Sequence, residues 1–455
     1  MLQETQPDQS QLNLYFPVLQ QILNPKHELV KLSSVINWHE LEMTISKKYN
    51  NDMGRPAKPI RLMSSLLILK YLYDLSDEGL IEQWIQNPYY QYFGGYSEFH
   101  WKQPCASSEL VHFRYRIGPE GEEMILRESI RIHDHLENKS GKKKQRKVRK
   151  EKRVFSDTTV QEKDITFPTD SKLYKKIVES CRKIAKENGL KVRQSYKRTV
   201  PKLLQAQRFR HHPKNKSKAI RAERKLKTIA GRMLREVDRQ LVGIARLMHQ
   251  SFIDIAHQVL AQKKKDSNKI LSLHEPHVYC ISKGKEWRKY EYGSKVNVMW
   301  GWKSGLVMGV HNCEKNIHDS KTIEPTLEQF ERVNEYLPEE CVTDKGFRGK
   351  TEVKGVKVSI PKSGSKKATQ YQKRKAREKF RKRAGIEPII SHLKSDFRLK
   401  RNFLSGVDGD RHNLMMSAAA FNIRRWIRRY REILKNWLQY IWAKYCVSIN
   451  QYRVA

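Results

Sequence analysis

The chain has 455 residues, and its 90 Lys and Arg against 49 Asp and Glu give a net charge of +41, which indicates a polyanionic partner such as nucleic acid or an anionic membrane surface. Its apolar runs are far shorter than the roughly 18 residues of a membrane span, which excludes an integral membrane protein, and no charged segment precedes an apolar one as in a signal peptide. The six cysteines are scattered without short paired spacing, which argues against zinc ribbons and a disulfide framework and favours a reducing cytoplasm.

Three helices are predicted in close succession near the N-terminus. They are expected at about residues 60–73, 76–87 and 107–118. The second opens at Ser76, which suits an N-cap, and the third carries Arg114 and Arg116 in its last turns. A helix-turn-helix DNA reader and a plain helical bundle both fit this pattern. We predict an all-α DNA-binding domain over residues 1–138, with Arg114 and Arg116 as candidate DNA contacts.

Residues 139–153 form a predicted basic linker, with ten Lys or Arg in fifteen positions. A run of like charges this dense cannot pack, so a solvated tether is expected. Such a tether gains order by lying along a phosphate backbone, and Lys143 and Arg146 are candidate contacts within it.

The remaining pattern alternates between strands and helices. Strands are predicted at about 153–160, 296–302, 306–310, 341–343 and 355–360, and helices at about 172–262, 326–336 and 371–399. Apolar residues recur every three or four positions from Leu226 through Leu241, Ile244 and Met248 to Val259, which indicates a buried stripe. The order predicts an α/β core with a mixed sheet at 154–170 and 289–405, a helical insertion at 171–288 and a C-terminal helical segment at 406–455.

Two aspartates lie at or near the ends of predicted strands, where α/β sheets place ligand-binding groups. Asp157 lies near the end of the first predicted strand and Asp344 follows the fourth, while Glu387 shares a helical stripe with Arg383 and Lys394. Each feature alone also fits ordinary turn chemistry or a helical ion pair. Together they supply hard oxygen ligands for Mg²⁺ or Mn²⁺.

Other side chains with chemical potential have simpler interpretations. His311, His318 and Asp319 carry side chains that could bind a metal. Their positions after the predicted hairpin favour the simpler interpretation that they are loop and helix-start residues. Trp300 and Trp302 face one side of a strand, where sheet core is the simpler interpretation and stacking on an unpaired base the alternative.

Several short sequence motifs occur in an order that is typical of one known family. They are Gly54-Arg55-Pro56, Leu80-Ile81-Glu82-Gln83-Trp84, Asp157-Thr158-Thr159-Val160, Asp344-Lys345-Gly346-Phe347-Arg348-Gly349, Ile386-Glu387-Pro388 and Gly409-Asp410-Arg411-His412-Asn413-Leu414. The chain resembles, over nearly its whole length, the DDE transposases of bacterial insertion sequences, in the insertion-sequence-five group of the insertion-sequence-four-like superfamily.

The resemblance implies an RNase H-like catalytic core in which Asp157, Asp344 and Glu387 form a metal-binding triad for Mg²⁺ or Mn²⁺. The family signature Tyr-x2-Arg-x3-Glu-x6-Lys maps onto Phe380, Arg383, Glu387 and Lys394 in this chain. Phe380 therefore replaces a tyrosine and brings no hydroxyl to a phosphate. Arg383, Lys394 and Arg348 are the expected phosphate contacts near the metals.

The function implied is binding to the terminal inverted repeats of double-stranded DNA, cleavage of phosphodiester bonds there, and joining of the 3′-hydroxyl ends to target DNA by two-metal-ion catalysis. A homodimer on the DNA, a place in the bacterial cytoplasm near the nucleoid and no membrane partner are expected. A metal-dependent nuclease and a non-catalytic sequence-specific DNA-binding protein are the alternatives.

Overall fold

A computed structural model describes residues 18–50, 56–134, 136, 150–263, 266–282, 289–361 and 369–453. The chain divides into two compact units. The first comprises Met1–Gln161, Lys295–Cys313 and Ile317–Ala455, and the second comprises Glu162–Ser294 and Glu314–Asn316. Lys143 and Arg146, with most of the predicted basic linker, lie outside the described residues.

Helices fill the N-terminal part of the first unit. They are α1 (Leu19–Ile22), α2 (Glu28–Val35), α3 (Trp38–Ser46), α4 (Ile60–Leu72), α5 (Asp77–Gln86), α6 (Pro88–Phe93) and α7 (Ser107–Arg131). The hydroxyl of Ser76 accepts a hydrogen bond from the Gly79 N–H, which confirms the predicted N-cap of α5. Gly118 has a left-handed φ of 59° and interrupts α7 where the predicted third helix ends, and a further helical segment follows from Pro119.

A mixed sheet forms the centre of the first unit. Its strands are β1 (Arg153–Lys163), β3 (Tyr290–Gly301), β4 (Val307–Cys313), β5 (Glu340–Val342), β6 (Glu352–Val353), β7 (Val356–Ser359) and β8 (Arg401–Asn402). The strand order runs β3-β1-β5-β7-β6, while β4 pairs with β3 and β8 with β1. β5 is parallel to both β1 and β7, and the β3–β4 and β6–β7 pairs are antiparallel. The predicted hairpin after β3 and the predicted buried strand before Asp344 are confirmed.

The helices that follow β4 in the first unit pack on both faces of this sheet. They are α12 (Asp319–Asn334), α13 (Gln370–Arg383), α14 (Ile386–Asp396) and α15 (Gly406–Arg453). On one face Val154 and Cys341 cluster with Phe330 of α12. On the other, Phe155 and Val342 join a cluster with α14, α15 and the N-terminal helices. The sheet is therefore the middle layer of the unit.

The second unit is mainly helical. It contains α8 (Asp170–Glu187), α9 (Thr199–Gln205), α10 (Pro213–Gln240) and α11 (Gly243–Ala261), with β2 (Tyr279–Ser282) antiparallel to the first residues of β3. The predicted apolar stripe is buried through Val237 but breaks at Gly243, where φ is +57°. Ile244 and Met248 are 78% and 76% exposed, so the prediction of a continuous buried stripe is wrong for them.

No helix in the described part of the chain combines the length and apolar character needed to cross a membrane.

Glu340 ties three elements of the first unit together at the start of β5. Its carboxylate accepts hydrogen bonds from Arg153 Nε at 2.6 Å, from the Ser359 hydroxyl and from the Lys379 ammonium of α13. Burial alone would raise the pKa of this carboxyl, but these donors outweigh it and lower the pKa to about 2. The carboxylate is therefore held ionised at neutral pH.

Replacing Glu340 with glutamine is expected to lower the free energy of unfolding near pH 7 by about 2 kcal/mol. Because the folded-state pKa lies below the ordinary value of 4.5, the wild-type advantage is complete above about pH 5 and disappears as the pH falls towards 2. Urea unfolding at pH 7, 5 and 3 measures this difference. Glu339→Gln is the control, because that neighbouring carboxylate is 67% exposed. A Glu340→Gln penalty that stays constant with pH would contradict the ion-pair explanation.

Candidate active site

Asp157 and Asp344 occupy matched positions on two adjacent parallel strands. Phe155 of β1 pairs with Val342 of β5, and each aspartate follows its strand partner by two residues. Asp157 lies inside β1 and not at its end, because β1 continues to Lys163, whereas Asp344 lies just beyond β5. Neighbouring strands are about 4.8 Å apart, so the register places the two aspartates side by side. Because side chains alternate along a strand, Asp157 lies on the same face as Phe155, the face covered by α14.

Arg383 links Asp157 to Glu387. Its Nη1 lies 3.4 Å from Asp157 Oδ2, and its Nη2 lies 3.5 Å from Glu387 Oε1. Asp157 Oδ1 accepts a 2.8 Å hydrogen bond from the Thr158 N–H. The Arg383 and Asp157 side chains are 18% and 19% exposed, whereas Glu387 is 64% exposed. One guanidinium therefore stands between two carboxylates, at distances that are long for hydrogen bonds and suit looser ion pairs.

A short helical break allows this arrangement. Arg383 is the last residue of α13 and Glu387 lies in the first turn of α14, with Ala384 and Gly385 between the helices. Both linking residues keep right-handed helical angles, so the two side chains stay four positions apart on nearly one helical path. A Cβ on Gly385 would lie 3.1 Å from the Trp300 ring, so glycine permits α13 to approach the sheet here.

Asp344 begins a tight turn directly after β5. Its Oδ1 accepts a 2.8 Å hydrogen bond from the Gly346 N–H and caps the 3₁₀ turn Lys345–Phe347. Phe347 is fully buried and anchors the turn, while Arg348 beyond it is exposed. The hydroxyl Oγ1 of Thr343, also fully buried, finds no hydrogen-bond partner among the described residues. Asp344 is therefore held in a fixed turn, and the residue before it keeps a buried hydroxyl without a protein partner in the described part of the chain.

Within the described part of the chain, no three His, Cys, Asp or Glu side chains are grouped closely enough to hold a metal ion. The donors themselves fit a hard divalent cation, because Asp157, Asp344 and Glu387 supply carboxylate oxygens and Thr343 an unused hydroxyl. The guanidinium of Arg383 brings a positive charge to both Asp157 and Glu387.

The basic helix α13 leads to this site. It carries eight Lys or Arg and one Glu in its fourteen residues, none of them buried. Lys382 lies 5.3 Å from the ring of Trp302, which is 39% exposed, whereas Trp300 is buried. Phe380, at the position of the family tyrosine, packs its ring partly against the core. A row of cations, several of them exposed, that ends at the partly buried Arg383 suits contact with a polyanion.

The other predicted DNA contacts differ in their surroundings. Lys394 lies half-buried in the last turn of α14. Arg116 is exposed and covers the ring of Tyr49 at 4.6 Å. Arg114 is 8% exposed, and both of its terminal nitrogens donate to the Asp77 carboxylate at 2.8 and 2.9 Å. The structure thus brings Asp157, Arg383 and Glu387 into contact and gives Arg114 a structural partner.

Sequence reasoning did not anticipate that Asp319 lies beside Asp344. Asp319 is the first residue of α12 and His318 caps that helix, so the predicted role as helix-start residues is confirmed. Both Asp319 Oδ2 and Asp344 Oδ1 lie 3.1 Å from the position that a Cβ on Gly346 would occupy. No sequence pattern reports this approach, since the two residues belong to different elements separated by a strand.

Comparison with known proteins finds two matched segments of the chain. Residues 17–116 match the family described as a transposase domain (DUF772), and residues 252–423 match the transposase DDE domain. The chain is also similar to "Uncharacterized protein ORF8 in nfe locus" of Rhizobium meliloti, with 36% identity over 211 residues that cover 46% of this chain and 98% of that protein. No solved structure matches the chain.

The mixed α/β fold is consistent with a DDE transposase domain, the class of protein that the sheet and the matches define. The chain belongs to an insertion-sequence transposase family. Proteins of this class act on DNA in transposition and recombination, and their DDE domains generally use divalent metal ions. Asp344 and Glu387 lie within the matched DDE segment, and Asp157 precedes it.

Proposed function

We propose that this protein is a DDE transposase of the insertion-sequence-five group that binds the terminal inverted repeats of its element, cleaves phosphodiester bonds there and joins the 3′-hydroxyl ends to target DNA. The observation that carries the proposal is the matched position of Asp157 and Asp344 on adjacent parallel strands, with Arg383 between Asp157 and Glu387. Membership of a transposase family supports it.

In this proposal Asp157, Asp344 and Glu387 hold Mg²⁺ or Mn²⁺. Two such ions, when bound, activate the attacking water or 3′-hydroxyl and stabilise the leaving oxygen. The planar guanidinium of Arg383, which neutralises two carboxylates here, also has the donor geometry for a phosphate.

Lys394, on the same helix as Glu387, and the exposed Arg348, four residues after Asp344, add positive charge for the DNA backbone. Phe380 contributes packing and, lacking a hydroxyl, leaves phosphate binding to Arg383 and to the cations of α13.

The domain assignment belongs to the same proposal. An RNase H-like core spans 154–170 and 289–405, a helical insertion spans 171–288, and a helical segment follows at 406–455. Residues 1–138 bind DNA through Arg116 and neighbouring surface, and the linker at 139–153 follows the backbone through Lys143 and Arg146. The working form is a homodimer on the DNA in the bacterial cytoplasm, associated with the nucleoid.

The test uses a duplex taken from the DNA that flanks the reading frame, ending in its inverted repeat, together with a supercoiled target plasmid. With Mg²⁺ or Mn²⁺ the wild-type chain is expected to nick at the repeat boundary, leave a 3′-hydroxyl and produce joined plasmid. With EDTA neither product forms. Binding, measured separately, is expected to weaken by orders of magnitude between 50 and 200 mM salt, since many phosphates are neutralised.

Two outcomes would contradict the proposal in different ways. Cleavage without joined plasmid in either metal would favour a nuclease. Retained repeat-specific binding with no cleavage in either metal would favour the non-catalytic DNA-binding protein. A duplex of the same length with a scrambled repeat is the control for specificity.

A further inference from the structure

A cavity of about 490 Å³ lies within the first unit. Its walls come from α4, α5, α7, the first turns of α15 and the segment that joins α14 to α15. Of the described residues that line it, none belongs to the candidate active site. Cavities of this size bind single small organic groups, so the cavity is a candidate for a second binding site.

Two aromatic side chains that line the cavity are open to solvent. Tyr115 of α7 is 59% exposed, and Phe403, directly after β8, is 61% exposed. Val111 and Leu404 also line the cavity and add apolar surface to it. Because stacking covers the face of an exposed aromatic ring, these walls suit a flat ligand.

The charges at the cavity are balanced. Three cations and three carboxylates line it, which are those of Lys70, Arg114, Arg398, Asp77, Glu78 and Asp408. Lys70 and Arg114 both donate to Asp77, at 2.7 and 2.8 Å, and Arg398 pairs with Asp74 at 2.8 Å. In a chain with a net charge of +41, this balance favours a neutral ligand over a phosphate.

One buried nitrogen of a lining side chain lacks a partner. His412 of α15 is buried, its Nδ1 lies 3.0 Å from a Glu122 oxygen, and its Nε2 has no hydrogen-bond partner among the described residues. Burial lowers the pKa of His412 below its usual value, against the opposing effect of Glu122, and Arg114 and Lys70 lower it further. A neutral imidazole that donates through Nδ1 to Glu122 leaves a lone pair on Nε2. The unused atom therefore accepts a hydrogen bond.

We propose that this cavity binds one unpaired nucleobase, which stacks on Phe403 and Tyr115 and donates an N–H to Nε2 of His412. The base is the part of a nucleic acid that is flat, uncharged and able to donate an N–H. The inference rests on the proposed function in taking DNA as the partner, and it gives a role to His412 of the motif Gly409-Asp410-Arg411-His412-Asn413-Leu414. A base in bound DNA and a free nucleoside present the same ring.

Equilibrium binding of the full chain to fluorescein-labelled duplexes in EDTA tests this role without cleavage. The wild type is expected to bind a duplex with one bulged deoxyadenosine about 10-fold more tightly than a fully paired duplex of the same length. A bulged abasic site controls for the flexibility of a bulge and is expected to bind like the paired duplex. A bulged purine, which is adenine without its amino group, can stack but has no N–H to donate. It is expected to bind about 5-fold more weakly than bulged deoxyadenosine.

Phe403→Ala is expected to abolish the preference for bulged deoxyadenosine and to leave binding of the paired duplex within about two-fold of the wild type. Phe403 is largely exposed, so its removal does not disturb the core. Phe209→Ala is the matched control, because Phe209 is 78% exposed and does not line the cavity. The control is expected to keep the full preference.

Isothermal titration calorimetry with free deoxyadenosine distinguishes the two sources of the base. Binding of deoxyadenosine that Phe403→Ala removes would assign the cavity to a free nucleoside. A preference for bulged DNA without such binding would assign it to a base of the DNA.

The failures of this inference and of the proposed function are distinguishable. Equal affinity for all the duplexes, with no binding of deoxyadenosine, overturns the role of the cavity and leaves the proposed function standing. A bulge preference that Phe403→Ala retains also overturns it, since the base then binds elsewhere. Equal binding of bulged purine and bulged deoxyadenosine overturns the role of His412. If the chain binds no duplex, the proposed function fails, and the titration with deoxyadenosine alone decides whether the cavity takes a base.

Discussion

Replacing Asp344 with alanine is expected to reduce Mg²⁺-dependent cleavage of the repeat-ended duplex by at least about 10³-fold, which corresponds to about 4 kcal/mol of lost transition-state stabilisation. The reason is positional. Asp344 lies two residues beyond the end of β5, which pairs with β1, at the register of Asp157, and its carboxylate is fixed by the Gly346 N–H at 2.8 Å. Alanine removes both oxygens from the point where the proposed metal ligands meet. Initial rates of nicking on an end-labelled duplex measure the effect.

DNA binding by Asp344→Ala is expected to survive with the same salt dependence. The phosphate contacts come from cations such as those of α13, and removal of a carboxylate takes none of them away. Asp254→Ala is the matched control, since Asp254 is an exposed residue of α11 whose carboxylate accepts only a surface hydrogen bond from Gln250 in the described contacts. Cleavage by Asp344→Ala within ten-fold of the wild type would show that Asp344 is not a metal ligand.

The positive charge of Arg383 lies close to the negative charges of two carboxylates, and the sequence pattern predicted only one of these two contacts. The spacing of Arg383 and Glu387 predicts a helical ion pair, and the 3.5 Å contact agrees with it although the helix breaks between them. The contact of Arg383 with Asp157 is different in kind, because 226 residues separate the two in sequence. Helical periodicity reports neighbours three or four positions away and carries no information on such a pairing.

The meeting of Asp157 and Asp344 shows the same limit. Local pattern could place each aspartate at or near the end of a strand, since β-rich runs and the turn residues after them are local signals. It did not show that β1 continues beyond Asp157 to Lys163. Their proximity depends on β1 lying parallel and next to β5, in the register that pairs Phe155 with Val342. Strand pairing between distant segments is decided by packing on both faces of the sheet, and sequence reasoning reached it only through the family resemblance.

One error in the fold, and one contact of a predicted site residue that the sequence did not show, have physical causes of the same type. The stripe through Ile244 and Met248 has helical spacing, but the chain turns at Gly243 and begins a new helix, so these side chains are exposed. Arg114 lies in a basic helical segment that suits a phosphate contact, yet Asp77 takes both of its terminal nitrogens. The spacing of apolar residues predicts which face of one continuous helix is buried. It does not show where the chain turns, and it does not show which side chain on another helix will form an ion pair.

Asn422 of α15 joins the last long helix to the sheet through its side-chain amide. Its Oδ1 accepts a 2.9 Å hydrogen bond from the Val307 N–H, and its Nδ2 donates to the Val307 carbonyl at 2.9 Å and to the Ser129 hydroxyl at 3.1 Å. One amide thus satisfies both backbone groups at the start of β4 on the side away from β3. Asn422 is fully buried, so water cannot replace it.

Replacing Asn422 with leucine is expected to lower the free energy of unfolding by about 3 to 5 kcal/mol, because a side chain of similar volume leaves a buried N–H and a buried carbonyl of Val307 unpaired. Urea unfolding followed by circular dichroism measures the loss, with an unchanged slope showing that the same surface is exposed. Asn436→Leu is the control on the same helix, since Asn436 is exposed. A loss below about 1 kcal/mol in Asn422→Leu would mean that β4 finds other partners, and the amide would then be dispensable for joining α15 to the sheet.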